Sequence, residues 1–174
     1  LDPAPALTET PLRSTGFSTS YDLKLTSIGP YRIFGFLSVP KGDGPFPAIL
    51  HSPRYGSVNN PPHWDDRQRY VVLTVMHRGQ RLADTPFKAE YPGLLTVGIE
   101  SPETWIYRGI LADIMRGCEY LLSHPSVDPS RVAIAGDDLG LIAASRRPGF
   151  STLNLTMPHL YRILDAGQRT DAYP

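Results

Sequence analysis

The sequence predicts an α/β protein in which a mostly parallel sheet follows an N-terminal antiparallel hairpin. Residues 18–29 and 31–40 read as two strands joined by a tight turn. Residues 48–52 and 70–77 are short, nearly continuous apolar runs rich in β-branched side chains, typical of strands covered on both faces. Residues 102–123 form an amphipathic helix that lies between strand-like runs. This alternation of strand and helix favours a parallel sheet.

Length and composition limit the possible functions. The 174 residues are enough for one domain, and 17 basic against 17 acidic residues give no reason to expect a nucleic-acid or membrane partner. The single Cys118 excludes an internal disulfide framework, and no apolar run is long enough for a membrane helix. No leader with a charged and then apolar pattern is visible, so we expect a cytoplasmic protein. A secreted chain whose leader had been cleaved would look the same.

The N-terminal elements are an arm and a hairpin. Residues 1–17 are proline-rich and lack periodicity, which indicates an extended arm before a domain at 18–174. Residues 18–29 alternate apolar and polar side chains, as half-buried strands do. After the turn at Gly29-Pro30, residues 31–40 predict the second strand of an antiparallel pair.

The second half of the chain predicts a long loop, a helix and then alternating elements. Residues 78–100 show no sustained period, and loops of that length in compact domains are often functional. Ser101-Pro102-Glu103 is the start signal for the helix at 102–123. The remaining predicted elements are a strand at 131–136, a helix at 139–147, a strand at 151–158 and a short helical piece at 159–167.

The turn "GDDLG" carries the main functional signal. A strand that enters a helix through Gly-x-nucleophile-x-Gly forms the nucleophile elbow, whose turn is too tight for side chains at the Gly136 and Gly140 positions. Asp138 would occupy the strained nucleophile position, and the amide of Leu139 would point toward a developing oxyanion. The same five residues are also compatible with an ordinary strand-to-helix turn with an acidic N-cap at Asp137 or Asp138.

Three longer stretches resemble the acetyl xylan esterase / cephalosporin-C deacetylase family of α/β-hydrolases. These are "YRIFGFLSVPKGDGPFPAILHSPRYG", "RYVVLTVMHRGQ" and "GLLTVGIESPETWIYRGILADIMRGCEYLLSHPSVDPSRVAIAGDDLG". The resemblance implies that Arg78, Gly79 and Gln80 form a loop that braces the active site. It also implies that Tyr55 and Leu139 supply the oxyanion amides. The fold implied is the α/β-hydrolase fold, with Gly136 and Gly140 supporting the elbow.

The chain departs from the family pattern in two respects. Asp138 stands where the resemblance implies a serine, and Leu139 stands where it implies a glutamine. The resemblance also implies two further strands whose loops carry the acid and the histidine of the triad, and the sequence ends at Pro174 before both. We therefore expect a domain whose C-terminal strands are missing, and a carbohydrate-acetyl-esterase-like chain that is inactive or incomplete.

Two alternative functions remain open. The first is a non-catalytic binding or scaffold relative that keeps the pocket. The second is a hydrolase with Asp138 as the nucleophile, since epoxide hydrolases and haloalkane dehalogenases use an aspartate at this elbow. In each reading the ligand would be a small acetylated ester or carbohydrate. No cofactor and no metal are implied, because Asp65-Asp66 and Asp137-Asp138 lack the spacing of an oxygen-rich cation loop.

Two further predictions concern the histidines and the edge of the sheet. Of the five histidines, His159 is a possible recruit to the site, because it follows the last predicted strand, at the edge where active-site loops gather. The strand at 151–158 would leave an open apolar edge. This edge predicts a homo-oligomer or a complementing chain that covers it.

Overall fold

The computed structural model describes residues 5–56 and 58–156 and contains one seven-stranded mixed sheet with two α-helices. The strands are β1 (Ala6–Glu9), β2 (Ser18–Thr26), β3 (Arg32–Pro40), β4 (Phe46–His51), β5 (Val71–Met76), β6 (Val127–Gly136) and β7 (Thr152–Leu155). The helices are α1 (Ile106–Leu122) and α2 (Asp138–Arg146), and short 3-10 turns occupy Asp66–Gln68 and Leu94–Thr96. The helical piece predicted at 159–167 lies outside the described residues.

The sheet is mostly parallel, as predicted. Its strand order is β1-β2-β3-β5-β4-β6-β7, and β5, β4, β6 and β7 pair in parallel. Both β2 and β5 are antiparallel to β3. Five of the seven strands therefore run in one direction, because β2 joins the four parallel strands.

The predicted N-terminal hairpin is confirmed. β2 and β3 pair without interruption from Ser18 opposite Pro40 to Thr26 opposite Arg32. The turn between them contains Gly29, whose φ of 71° lies in the left-handed region that glycine tolerates best. The arm before the hairpin adds β1 as an antiparallel strand on the outer side of β2, with all four residues exposed.

The core lies between the parallel strands and α1. All six residues of β5 are buried, as expected for a strand covered on both faces. Ile110, Ile114 and Leu121 of α1 belong to the same buried apolar cluster as Leu50 of β4. Gly117 lets the helix approach β5 closely, since a Cβ there would lie 2.6 Å from a methyl of Val75. The helix therefore packs its predicted apolar stripe onto the sheet.

The predicted start of the helix is wrong by four residues. α1 begins at Ile106 after the N-cap Trp105, whereas Ser101–Thr104 forms a turn. The Ser101 hydroxyl accepts a hydrogen bond from the amide of Glu103, and the Ser101 carbonyl accepts from the amides of Thr104 and Trp105. Local side-chain bonding of this kind offers the backbone an alternative to the helix.

The long loop predicted between β5 and the helix is present and ordered by its own contacts. Gly79 and Lys88 form an isolated bridge, and the amide of Ala89 donates to the carbonyl of Gly79 at 2.9 Å. A Cβ on Gly79 would lie 2.7–2.9 Å from Phe87 and Ala89. The loop therefore folds back tightly onto its own beginning.

At the other edge of the described sheet, β7 pairs with β6 and exposes Leu153 and Leu155. Association of chains through this edge stays a prediction. In the described part of the chain, no helix has the length and apolar character needed to cross a bilayer.

Candidate active site

A cavity of about 550 Å³ opens at the carboxyl edge of the parallel strands. Its walls come from the ends of β4, β6 and β7 and from the segment after β4. In open α/β sheets this edge is where ligands bind. The polar lining residues include His51, Ser52, Asp66, Asp137 and Asn154. The cavity therefore offers carboxylate, imidazole, hydroxyl and amide groups to a ligand.

The two glycines of the predicted elbow both face Ser52, the residue that follows β4. A Cβ on Gly136 would overlap the Ser52 hydroxyl and lie 3.0 Å from its Cβ. A Cβ on Gly140 would lie 3.1 Å from the same hydroxyl. The absence of side chains at both positions lets β4 and the start of α2 approach each other, which agrees with the steric reason for the motif.

The structure places Asp138 differently from the predicted nucleophile. Asp138 is the first residue of α2, only 6% exposed, and it is not among the residues that line the cavity. The predicted backbone strain is absent: within residues 5–56 and 58–156, Leu82 is the one non-glycine residue with a positive φ. The physical reason is that the helix includes Asp138 in its first turn, where the backbone is helical.

Asp137, and not Asp138, lines the cavity. The sequence predicts Asp138 for this position. Asp137 is the N-cap of α2, and its Oδ1 accepts a hydrogen bond from the amide of Leu139 at 3.1 Å. The Leu139 amide, which the sequence predicts as an oxyanion donor, therefore donates to a carboxylate in this structure. The acidic N-cap reading of the turn therefore describes the observed geometry.

Tyr55, the other predicted oxyanion residue, lines the cavity. In the described part of the chain, its buried hydroxyl has no hydrogen-bond partner. Its ring contacts Tyr91 edge to face with centroids 5.2 Å apart. The Tyr91 hydroxyl donates to the carbonyl of Gly56 at 2.9 Å, and burial raises the pKa of this phenol to about 12. Tyr55 therefore sits in a loop fixed by aromatic packing.

Gln80 ties that loop to the end of β5. The fully buried side chain donates from Nε2 to the carbonyls of Arg54 and Gly56 at 2.9 and 2.7 Å. Its Oε1 accepts from the amide of His77 at 3.1 Å and from Nδ2 of Asn59 at 3.0 Å. All the hydrogen-bonding capacity of the amide is used on this connection. This geometry supports the bracing role that the resemblance implies for the loop.

Arg78 is anchored beneath the site by Asp113 of α1. The guanidinium donates from Nε and Nη2 to the two carboxylate oxygens at 2.9 and 2.8 Å, and the Arg78 amide donates to Oδ2 at 2.8 Å. The Ser27 hydroxyl also donates to this carboxylate, and the guanidinium lies 3.9 Å from the centroid of the Tyr31 ring. These contacts join the hairpin, α1 and the loop that begins at Arg78.

The histidines differ in their access to the cavity. His51 and His63 both line it, and burial lowers the pKa of His51. His77 is buried outside the cavity, where its Nδ1 lies 2.7 Å from the carbonyl of Arg78 and burial lowers its pKa to about 4. Burial also lowers the pKa of His124. His159, the predicted recruit, lies outside the described residues.

The paired acids do not form a cation site in the described structure. Asp65 lies 3.5 Å from Nδ1 of His63 on the surface, whereas Asp66 lines the cavity. Across residues 5–56 and 58–156, no group of three or more histidine, cysteine or acidic side chains could hold a metal ion.

Three aromatic residues near the site, Trp64, Tyr91 and Trp105, differ in their surroundings, and two of them are used in packing. Trp105 donates from its indole to the carbonyl of Leu95 at 2.7 Å and stacks on Tyr107, and Tyr91 packs on Tyr55. Trp64 is 56% exposed and lies beside the cavity-lining His63. Trp64 is therefore the most exposed of the three.

Three residues at or below the site were missed by sequence reasoning. Asp113 could have been found, because an acidic residue within the apolar stripe of a helix requires a partner. Asp137 was recognised only as a possible cap. Nothing in the sequence marked Ser52, since a serine after a strand is common in loops.

Comparisons with known proteins agree with the fold. A family model described as acetyl xylan esterase (AXE1) matches residues 1–173. Acetyl xylan esterase 1 from Thermoanaerobacterium sp. JW/SL YS485 superposes with a TM-score of 0.76 at 22% identity, over 99% of this chain and 59% of that one. An acetyl xylan esterase from Paenibacillus sp. R4 gives a TM-score of 0.70 at 24% identity, over 86% and 52%. The chain thus spans little more than half the length of these two structures, and the likeness to them is one of fold.

Proposed function

The chain belongs to the acetyl xylan esterase family, and from this premise we propose that its cavity binds a small acetylated ester or carbohydrate without hydrolysing it. The observation that carries the proposal is the position of Asp138. The residue at the nucleophile position is a carboxylate on the first turn of α2 and is not among the residues that line the cavity. Removal of the serine nucleophile typically costs a serine hydrolase about a million-fold in kcat.

The chemistry of the cavity supports a neutral, hydroxyl-rich ligand. Asp66 and Asp137 offer carboxylate oxygens, which accept hydrogen bonds from hydroxyl groups, and Asn154 offers an amide that donates and accepts. The exposed ring of Trp64 adds an apolar face near the mouth. A sugar presents this combination of hydroxyl groups and apolar ring faces.

The same geometry weighs against the aspartate-nucleophile alternative. A carboxylate that attacked an acetyl ester would form a mixed anhydride, whose hydrolysis requires an activated water. Asp138 is also buried at the start of a helix and is not among the residues that line the cavity.

Turnover of p-nitrophenyl acetate separates these functions. We expect the chain, Asp138→Ala and Asp138→Ser to release p-nitrophenol at the rate of buffer alone. A turnover that Asp138→Ala abolishes would establish the aspartate nucleophile and overturn the proposal. A turnover that neither change affects would locate hydrolysis at another group and would also overturn it.

Ligand binding supplies the positive test. Saturation-transfer NMR with acetylated xylo-oligosaccharides should show contact with the chain, and Asn154→Ala in the cavity wall should weaken the signal. Lys41→Ala is the matched control, because Lys41 is exposed and does not line the cavity. Equal signals from the chain and from Asn154→Ala would argue against the cavity as the binding site.

A further inference from the structure

The start of α2 carries the elements of an anion site that the chain closes with its own carboxylate. α2 has nine residues, and the amides of a helix N-terminus attract negative charge. The Leu139 amide is one of these donors, and the Oδ1 of Asp137 lies 3.1 Å from it. Asp137 in turn forms part of the cavity wall. The anion bound at this helix end is therefore a side chain of the protein.

A second potential donor lies beside the same turn, next to Gly136 and Gly140. Ser52 is only 4% exposed, and among the described residues its hydroxyl has no hydrogen-bond partner. The hydroxyl points between Gly136 and Gly140, because a Cβ at either glycine would crowd it. Ser52 also lines the cavity. An unsatisfied buried hydroxyl is costly, and a ligand that accepted a hydrogen bond from it would remove that cost.

We propose that Asp137 is a specificity-determining residue that closes an anion site formed by the Leu139 amide and the Ser52 hydroxyl. While the carboxylate caps α2, the cavity rejects small carboxylate anions, both by charge repulsion and because the Leu139 amide is occupied. It accepts neutral ligands whose hydroxyl groups donate to the carboxylate. When the side chain at 137 is removed, the two donors bind a small carboxylate such as acetate. This inference does not depend on the proposed binding of acetylated carbohydrates.

Two substitutions of Asp137 separate the effect of its negative charge from the effect of the hydrogen bond that occupies the Leu139 amide. Asp137→Asn removes the charge but keeps an oxygen that caps α2, since asparagine is as good an N-cap as aspartate. Asp137→Gly removes both, and glycine at this position weakens a helix by only a few tenths of a kcal/mol. Asp66→Asn is the matched control, because it removes the other cavity carboxylate and leaves the Leu139 amide occupied.

NMR titration with sodium acetate, at constant ionic strength, measures the outcome. Hydrogen bonds to a charged group are worth enough that Asp137→Gly should bind acetate at least about tenfold tighter than the unmodified chain. Asp137→Asn should give an intermediate gain, and Asp66→Asn a smaller one. Adding Ser52→Ala to Asp137→Gly should reduce the affinity again by about tenfold. Acetamide, the neutral analogue, should show no comparable gain.

Three results would overturn the inference. The first is equal acetate affinity in the unmodified chain and in Asp137→Gly. The second is an equal gain from Asp66→Asn and Asp137→Gly, which would assign the effect to net charge alone. The third is an unchanged affinity after Ser52→Ala in the Asp137→Gly chain. If Asp137→Gly does not fold, as judged by circular dichroism, a gain from Asp137→Asn no larger than that from Asp66→Asn would assign the effect to net charge and overturn the inference.

Discussion

Arg78 and Asp113 form a buried ion pair that connects the loop after β5 with the middle of α1. Their closest charged atoms are 2.8 Å apart, and the two side chains are 6% and 0% exposed. Gly109 of α1 leaves room for this ion pair, since a Cβ at this position would lie 2.5–2.9 Å from the guanidinium of Arg78. The loop that braces the cavity therefore rests on a charged contact within the core.

Removal of one partner should be costly. We expect Asp113→Asn to lower the free energy of unfolding by about 3–5 kcal/mol, because it leaves the buried guanidinium without a counter-charge. Urea denaturation followed by tryptophan fluorescence measures the loss. The control is Asp128→Asn, which breaks the exposed Asp128–Arg131 pair and should have a much smaller effect. Equal losses in the two variants would contradict the structural role of the buried pair.

Gln80 should fix the loop that carries Tyr55. Gln80→Glu replaces two donors with an acceptor that faces the carbonyls of Arg54 and Gly56, and each buried group left unsatisfied costs about 1–3 kcal/mol. Hydrogen exchange of peptides that cover residues 54–60 should accelerate. The same substitution at the exposed Gln68 should leave this exchange unchanged. Protection that survives Gln80→Glu would show that other contacts hold the loop.

The contact between Ser52 and the two elbow glycines predicts a coupling in stability. In a Ser52→Ala background, Gly140→Ala should stabilise the chain by up to about 1 kcal/mol, because alanine favours the helix and the crowding hydroxyl is gone. In the presence of Ser52 the same change should gain less. Gly136→Ala should destabilise both backgrounds, since its Cβ would still lie 3.0 Å from the Cβ at position 52 and its φ is +156°. Thermal unfolding of the double-mutant cycle tests this, and additive effects would refute it.

His77 should make stability depend on pH below neutrality. Burial lowers the pKa of His77 to about 4 in the folded chain, while the unfolded value is about 6.5. Between these values the unfolded chain binds one more proton, so stability falls as pH drops from about 6.5 to about 4, by up to about 3 kcal/mol. His77→Gln should show a shallower fall when unfolding is measured across this window. Identical pH profiles would assign the dependence to other groups, such as His51 and His124, whose pKa values are lowered in the same direction.

Most of the fold was predictable because its signals are local. The alternation in 18–29 and the apolar runs at 48–52 and 70–77 predict strands that the structure contains. The start of α1 was not predictable, because Ser101 and Glu103 match a helix start signal but form a hydrogen bond with each other within a turn. A capping motif shows only which hydrogen bonds are possible. The helix begins after Trp105, whose indole is held by a hydrogen bond to the carbonyl of Leu95.

The candidate site was predictable only in part. Gly136 and Gly140 follow from the steric demands of a tight strand-to-helix turn, and Gln80 followed from the resemblance. The exchange of roles between Asp137 and Asp138 did not follow, because two adjacent acids can each cap a helix, and the sequence does not show which of them has the non-helical backbone that Asp137 adopts. Ser52 became visible only when β4 and α2 were brought together in space.

The hydrogen bond between Asp137 and Leu139 also bears on attempts to evolve hydrolysis in this scaffold. A library that varies only position 138 keeps a negative group over the amide that an acyl-transfer reaction would need, so each of its members starts with that obstacle. Libraries that randomise 137 and 138 together sample the two changes jointly. Directed evolution here should therefore be planned over pairs of neighbouring codons.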